Sequence, residues 1–408
     1  MNIVFIAHFA GSPRHGMVYG HYYLAREWVR LGHQVTVVAA SYAHTRFQQP
    51  DSQISEERID GIRYIWLKVP RYNAAGRVGR VLNIIAFTIA SYSPFLRKKL
   101  GKLDLVISSS HHPFSIFPSQ SLAKKSSARL VFEIRDLWPL TLIELGGTSA
   151  RNPFIRMMQF SEDYAYRHSD KIVSVLPGAK SYMLQHGMAP DKFVFIPNGV
   201  DLGEAKTKID LDGKIKRILE AKKKDGKFIV GYCGRIGLAN SLHTLVKALE
   251  QCADSDICVA LLGDGAEKKN LQMYVDKKDL KEQVLFFDSV AKEQVQGFLD
   301  LLDVAYVGLQ KQPLFRFGVS PTKINDYLLA GKTVISAIEA PGEIVSESGA
   351  GYNCNAEDPE SLCKCIKKMK ELSVDERESM GQKGHRWILE NRDYRILAER
   401  FLEKVMSR

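Results

Sequence analysis

Short apolar runs alternate along this chain with longer stretches whose apolar residues recur every third or fourth position. In the first half the runs at 3–7, 34–39, 62–67, 105–108, 129–134, 171–175 and 193–196 have the look of strands. Helical spacing separates several of them, as at 20–31 and 154–168. The rhythm restarts beyond a polar, lysine-rich stretch at 209–227. Strand-like runs then follow at 228–233, 257–262, 284–287, 304–307 and 333–336, with helical spacing at 242–253, 267–277, 292–302 and 321–330. Strands alternating with helices predict parallel, doubly wound sheets, so the fold class is α/β with two domains. Turn residues crowd the segment IPNGVD at 196–201, the expected joint. The spacing over 387–405 predicts one amphipathic helix that crosses back to the first domain. Two Rossmann-like lobes facing a cleft are the expected architecture, and ligands of such sheets sit outside the carboxyl ends of the strands.

A chain of 408 residues is long for one hydrophobic core, which agrees with two domains. At 45% hydrophobic and 25% charged, the composition is that of a soluble globular protein. The N-terminal MNIVFIAHFAG has no basic region and reads as a first strand rather than a signal peptide. Cys233, Cys252, Cys258, Cys354, Cys363 and Cys365 form no C-x-x-C pair and have no histidine cluster beside them. They read as reduced thiols of a cytosolic protein, not as a metal site or a disulfide frame.

Charge adds something that hydropathy does not. The net charge is +11, and the whole surplus lies in residues 1–200, which hold 24 Lys/Arg and 13 Asp/Glu. The remainder holds 33 of each. Such a basic half is explained by a solvated surface, by nucleic acid or by an anionic membrane. Aromatics do not interleave with the basic residues, and no nucleic-acid motif appears, so nucleic acid is disfavoured. The most apolar window, 81–96, is flanked by Arg77, Arg80, Arg97, Lys98 and Lys99. It is too short to span a bilayer. It fits a helix lying in the interface of an anionic leaflet, or a buried core helix with basic ends.

The segment 317–331, FGVSPTKINDYLLAG, carries the clearest chemistry. A loop with Gly318, Ser320 and Pro321 runs into a helix, with Lys323 in its first turn and Asp326 one turn on. A helix N-terminus offers free backbone N–H groups to a phosphate, and a lysine adds charge. A carboxylate three residues later lies on nearly the same face and suits a ribose diol. Together they fit a nucleoside diphosphate; an ordinary capped helix fits the same residues.

Other candidates lie at strand ends. Gly11, Gly16 and Gly20 follow the first strand, as a flexible loop lining a ligand site or as plain surface. They do not form G-x-G-x-x-G, which disfavours a dinucleotide. His111 and His112 end another strand, as donors to a sugar, as proton carriers, or as structural residues. Glu133, Arg135 and Asp136 lie beside Trp138, as an acceptor contact or an internal ion pair. Gly234 and Arg235 follow the first strand of the second half, where an arginine can meet phosphate bidentately. Gly263 and Gly265 permit close backbone contact.

In this order these pieces resemble the retaining GT-B glycosyltransferases of family four, over the whole chain. The matching residues are the glycine loop after strand one, PNGVD at 197–201, G-x-x-G-R at 231–235, LGDG at 262–265 and SPTKINDYLLAGK at 320–332. The EIRDLWP run resembles a subgroup that builds bacterial surface polysaccharides, and within it the chain resembles the O-antigen N-acetyl-L-fucosamine transferases of the WbuB type. The resemblance implies GT-B architecture: an acceptor-side domain at 1–198, joined by a crossover helix at 387–408, and a nucleotide-sugar domain at 199–386. It implies that Asp326 holds the ribose and that Arg235 meets the diphosphate; Lys323 is the candidate for the second positive charge there. Gly318 stands where the family has an acid that contacts the donor sugar, leaving backbone N–H groups of Gly318, Val319 and Ser320 there. Asn240 stands where the family has a lysine. His111 matches the family's histidine near the donor sugar, with Gly16, Gly234 and Gly263 on the donor side and His112, Arg135 and Asp136 on the acceptor side.

The expected activity is transfer of a sugar, N-acetyl-L-fucosamine by resemblance, from a UDP-sugar to a lipid-diphosphate-linked saccharide. No metal or other cofactor is expected. The expected location is cytoplasmic, on the inner face of the bacterial membrane through the basic first half. A nucleotide-sugar epimerase of the same plan is the alternative; it needs acid–base carboxylates, for which Glu133 and Asp136 are the candidates.

Overall fold

The computed structural model describes residues 1–16, 20–51, 56–73, 77–110, 112–205 and 209–407. It has two compact units: Met1–Asn198 with Tyr394–Arg408, and Gly199–Asp393.

The first unit holds β1 (Asn2–Ile6), α1 (Gly20–Arg30), β2 (Gln34–Ala40), β3 (Glu56–Ile59), β4 (Ile62–Leu67), α2 (Arg77–Ala90), α3 (Pro94–Leu100), β5 (Leu105–Ser110), α4 (Ile116–Ser126), β6 (Arg129–Ile134), α5 (Pro153–His168), β7 (Lys171–Ser174) and β8 (Phe193–Phe195). Among the described residues these strands make one sheet in the order β3-β4-β2-β1-β5-β6-β7-β8. Every pairing is parallel except β3 with β4. The central strands β5 and β6 are buried almost throughout, as a parallel sheet covered on both faces requires. β3, with the sequence EERI, gives no apolar run and escapes the hydropathy pattern; it pairs antiparallel at the edge, with one face wet.

The second unit holds β9 (Phe228–Cys233), α6 (Leu242–Cys252), β10 (Ile257–Leu262), β11 (Val284–Phe287), β12 (Val304–Gly308), α7 (Thr322–Leu329), β13 (Val334–Ala337), β14 (Gly351–Asn353), α8 (Pro359–Glu371) and α9 (Val374–Arg392). Its sheet, again of the described residues, runs β11-β10-β9-β12-β13-β14 and is parallel. Apolar clusters cover both faces, one around Tyr232 and Tyr306, the other around Phe298 and Tyr327. Both units are thus Rossmann-like α/β layers.

One element is added and two expectations are corrected. The lysine-rich stretch before β9 contains a helix, Gly213–Lys224, started by Asp212, whose carboxylate accepts from the N–H groups of Lys214 and Ile215. The single C-terminal helix over 387–408 is two. α9 opens on a Ser373–Glu376 capping box and ends at Asp393, whose extended backbone breaks it. The last helix, α10 (Tyr394–Met406), then packs on α1 in the first unit: Trp28 Nε1 donates to the Ala398 carbonyl at 2.9 Å, and Tyr23 stacks on Tyr394. Finally, Cys252 of α6 and Cys363 of α8 form a disulfide with Cα atoms 5.5 Å apart. The two helices pack side by side, so residues far apart in sequence meet with no spacing to announce it.

The apolar window at 81–96 falls on α2, a turn and α3. It is neither wholly buried nor wholly open. Asn83 and Phe87 point into the unit and are fully buried, while Val78, Leu82, Ile85 and Ile89 lie along the opposite side and are exposed. Among the described residues no helix is long and apolar enough to cross a membrane.

Candidate functional site

Parallel strands deliver their chemistry where they end, and the expected donor residues gather at the ends of β9 and β10 and the start of α7. Gly234 follows β9 and Gly263 follows β10. The Gly234 N–H donates to the Leu262 carbonyl at 2.9 Å, and Ile236 N–H to the Asp264 carbonyl at 2.8 Å, so the two loops lie backbone on backbone. Gly263 has φ 145°, and a Cβ there would collide with the Gly234 carbonyl; only glycine fits.

Lys323 reaches this layer from the first turn of α7. Its Nζ donates to Asn240 Oδ1 at 2.6 Å and to the Tyr232 hydroxyl at 2.9 Å, and lies 4.5 Å from the centre of the Tyr232 ring. Asn240 Nδ2 and the Tyr232 hydroxyl both donate to the Arg235 carbonyl, at 3.0 and 2.7 Å. Lys323, Asn240, Tyr232 and the backbone of Gly234–Arg235 are therefore one constellation. Burial lowers the Lys323 pKa to about 8 and raises the neighbouring Cys233 thiol to about 12. The Arg235 guanidinium is exposed and makes no ion pair among the described residues.

The loop before α7 also behaves as a glycine device. Gly318 closes the turn Pro313–Phe317 with φ 95°, and its N–H donates to the Phe315 carbonyl at 2.9 Å. Val319 and Ser320 follow, half-buried, and no side chain caps the N-terminus of α7. Asp326 is half-buried one turn further on, close enough to Cys233 to disfavour its thiolate. Sequence reasoning placed Lys323, Asn240, Arg235, Gly234 and Gly263 but missed Tyr232, whose position inside an apolar strand gave no signal.

In the first unit the described part of the loop after β1 is tied down by several contacts. Gly11, Ser12, His15 and Gly16 are buried. Tyr64 donates its hydroxyl proton to the Gly11 carbonyl at 3.0 Å, and the buried Arg46 donates to the carbonyls of Ala10 and Ala40 at 3.1 and 2.8 Å. Desolvation holds Arg46 down to about 10. His15 bonds Ser12 Oγ at 2.8 Å and approaches Glu57 at 3.3 Å, with burial holding its pKa below the usual value. Gly16, with φ 82°, lies under the Phe47 ring.

His111 lies outside the described residues. His112 is 1% exposed, and its Nε2 lies 2.7 Å from Nδ1 of the equally buried His8. Sequence reasoning missed His8, although it too stands just past a strand end. Arg135 donates to Asn198 Oδ1 at 2.8 Å and lies 3.5 Å from the buried Glu133. Asp136 keeps exposed surface, yet enough protein surrounds it that desolvation raises its carboxyl, with Arg135 opposing. Arg135 and Glu133 are thus brought together.

Comparison with known proteins shows the family of both units. Residues 15–199 match the model of the Glycosyl transferase 4-like domain, and residues 214–387 that of Glycosyl transferases group 1. The chain is 23% identical to WcaI of Escherichia coli K12, which carries the name of a colanic acid biosynthesis glycosyl transferase, over 78% of this chain and 79% of that one. It is 23% identical to the glycosyltransferase WbjE of Pseudomonas aeruginosa, over 82% of each. Among solved structures it resembles HepE of Anabaena in complex with UDP, with a TM-score of 0.70, 16% identity and 100% of both chains covered.

Proposed function

We propose that this two-domain glycosyltransferase, with its 4-like and group 1 domains, moves a sugar from a UDP-sugar to a lipid-diphosphate-linked saccharide. The observation that carries the reading is Lys323. A lysine, drawn under Tyr232 and Asn240 at an uncapped helix N-terminus and against two glycine loops, suits a diphosphate. Arg235 adds an exposed guanidinium, and Asp326 a carboxylate for the ribose. HepE holds UDP, which supports UDP as the nucleotide, and the colanic acid name of WcaI supports bacterial surface polysaccharide, O-antigen or capsule, as the product. N-acetyl-L-fucosamine remains the proposed sugar on resemblance.

In this reading the bond from the anomeric carbon to the diphosphate oxygen breaks while the acceptor hydroxyl oxygen bonds to the same face of that carbon, with retention. The hydroxyl proton passes to the departing phosphate, so no cofactor or metal is invoked. Lys323, Arg235 and the N–H groups of Val319 and Ser320 offset the charge that develops on the diphosphate, the expected Gly318 N–H being engaged by the Phe315 carbonyl. Gly16 and His111 belong to the donor side, and Arg135, Asp136 and His112 to the acceptor side. A donor panel with a synthetic lipid-diphosphate sugar, read by mass spectrometry, tests this. A new sugar nucleotide formed from donor alone favours an epimerase instead.

We infer further that the first unit rests on an anionic membrane, on the inner face of the cytoplasmic membrane. Val78, Leu82 and Ile89 are 74%, 54% and 66% exposed along one face of α2, and Tyr92 and Phe95 continue it. Arg97 and Lys98 in α3 supply charge at the same end. Co-sedimentation with phosphatidylglycerol-containing vesicles, against phosphatidylcholine alone, tests this; binding of neither sinks it.

A further inference from the structure

The inner side of α2 is as specific as its outer side. Asn83 Nδ2 donates to the Pro70 carbonyl at 2.7 Å, which turns Oδ1 of the same amide toward His8 Nε2, 2.6 Å away. A carbonyl only accepts, so the amide orientation is fixed, and His8 Nε2 must carry a proton. In a neutral pair His8 Nδ1 then accepts from His112 Nε2, at 2.7 Å. One proton arrangement therefore runs from the Pro70 carbonyl through Asn83 and His8 to His112. Phe87, one helical turn from Asn83, stacks on the His8 ring at 4.5 Å, and Phe9 stacks on it at 4.3 Å. His8 follows β1 and His112 follows β5, so α2 grips the ends of two neighbouring strands.

We propose that Asn83 and Phe87 are positioning residues through which a lipid surface docked on the outer face of α2 sets His8, His112 and the turn from β5 into α4. The reasoning is mechanical. On a helix, Val78, Leu82, Ile85 and Ile89 share one face, and Asn83 and Phe87 lie opposite. Both faces belong to one rigid rod, fourteen residues long. A force that moves or steadies the rod from outside must act on His8 through a buried hydrogen bond and a ring stack. Short polar bonds in a buried setting have discrete arrangements rather than a continuum. The proposal rests on the membrane reading and gives its docking face a consequence at the strand ends.

Hydrogen–deuterium exchange of the full chain, with and without phosphatidylglycerol-containing vesicles, needs no knowledge of donor or acceptor. Vesicle binding is expected to slow exchange over 105–116 by roughly threefold or more. The double variant Leu82→Ser, Ile89→Ser is expected to lose both vesicle binding and the slowing. Asn83→Leu, which can neither accept from His8 nor donate to the Pro70 carbonyl, is expected to keep vesicle binding and lose the slowing. A merely structural Asn83 would alter exchange equally with and without vesicles. Phe87→Leu, a milder change, provides the same reading should Asn83→Leu fold poorly. Wild-type protein that binds vesicles with unchanged exchange over 105–116 overturns the coupling, as does a full vesicle response in both Asn83→Leu and Phe87→Leu. Absence of any vesicle binding overturns the membrane reading instead.

Discussion

The chain is expected to bind UDP about tenfold more weakly at pH 9 than at pH 7, with Lys323 as the cause. Its pKa in the free protein is about 8, brought down by burial. At pH 7 most of the Lys323 population is charged, and at pH 9 only about a tenth is. A bound diphosphate favours the charged form and raises the pKa, so above pH 8 binding must first draw a proton from solvent. The sign follows: affinity is full below the free pKa and falls as pH rises through it, by about 1.4 kcal/mol in total between pH 7 and pH 9. Phosphate ionisation does not confuse the window, because its second pKa is roughly 6. Calorimetric titration at pH 7, 8 and 9, in two buffers of different ionisation heat, measures both affinity and proton uptake. Uptake at pH 8 is expected to be about half a proton. Lys323→Ala is expected to bind weakly with no pH slope, and Lys323→Arg to bind without the slope. A wild-type affinity that is level from pH 7 to 9, with no proton uptake, refutes the placement of the diphosphate on Lys323.

Other outcomes follow from the same structure. Glu162 of α5 is buried beside the Tyr182 hydroxyl at 3.0 Å, and desolvation raises its carboxyl from 4.5 to about 8. The folded state therefore holds a proton that the unfolded chain releases above pH 4.5, so this group's contribution declines from pH 4.5 to 8, by ~3 kcal/mol at pH 7. Glu162→Gln is expected to unfold at higher temperature at pH 7 than wild type, and at closer temperatures at pH 5; equal pH slopes in thermal melts refute this. Gly263→Ala places a Cβ against the Gly234 carbonyl and is expected to cost ~1–3 kcal/mol and to weaken UDP binding. Wild-type melting and titration would show that the loops have room. Arg235→Ala is expected to weaken UDP binding and to reduce its salt dependence, and Asp326→Ala to weaken UDP binding with less effect on salt dependence; unchanged affinity in both sinks the site.

Most strands were legible because both faces of a parallel sheet are buried, and β5, β6, β9 and β10 must then be apolar runs. The same rule hid β3, whose polar residues suit a wet edge, and β14, with only Gly351–Asn353. The helix Gly213–Lys224 was masked by its lysines, because only Ile215 and Leu219 are buried. Lys323 and Asn240 could be named from the chain, but their bond could not, since residues that far apart meet only once β9 and α7 are packed. His8, Asn83 and Phe87 share that fate: each reads as core until Asn83 and His112 are seen to converge on one ring. The disulfide Cys252–Cys363 likewise depends on two helices lying side by side.

The last helix has a consequence for how the molecule is made. Unit two begins at Gly199 and ends at Asp393, and Val200 N–H bonds the Arg392 carbonyl at 2.8 Å, so its two ends are clasped to each other. Unit one is completed only by Tyr394–Met406, which seals Trp28 and Phe401 into its core. A ribosome therefore finishes the second unit before the first has all of its core. At roughly 5–20 residues per second, the N-terminal sheet waits for on the order of ten seconds or more for its closing helix. A chain cut at Asp393 would keep every donor-side residue named above, yet leave the apolar flank of α1 open to water.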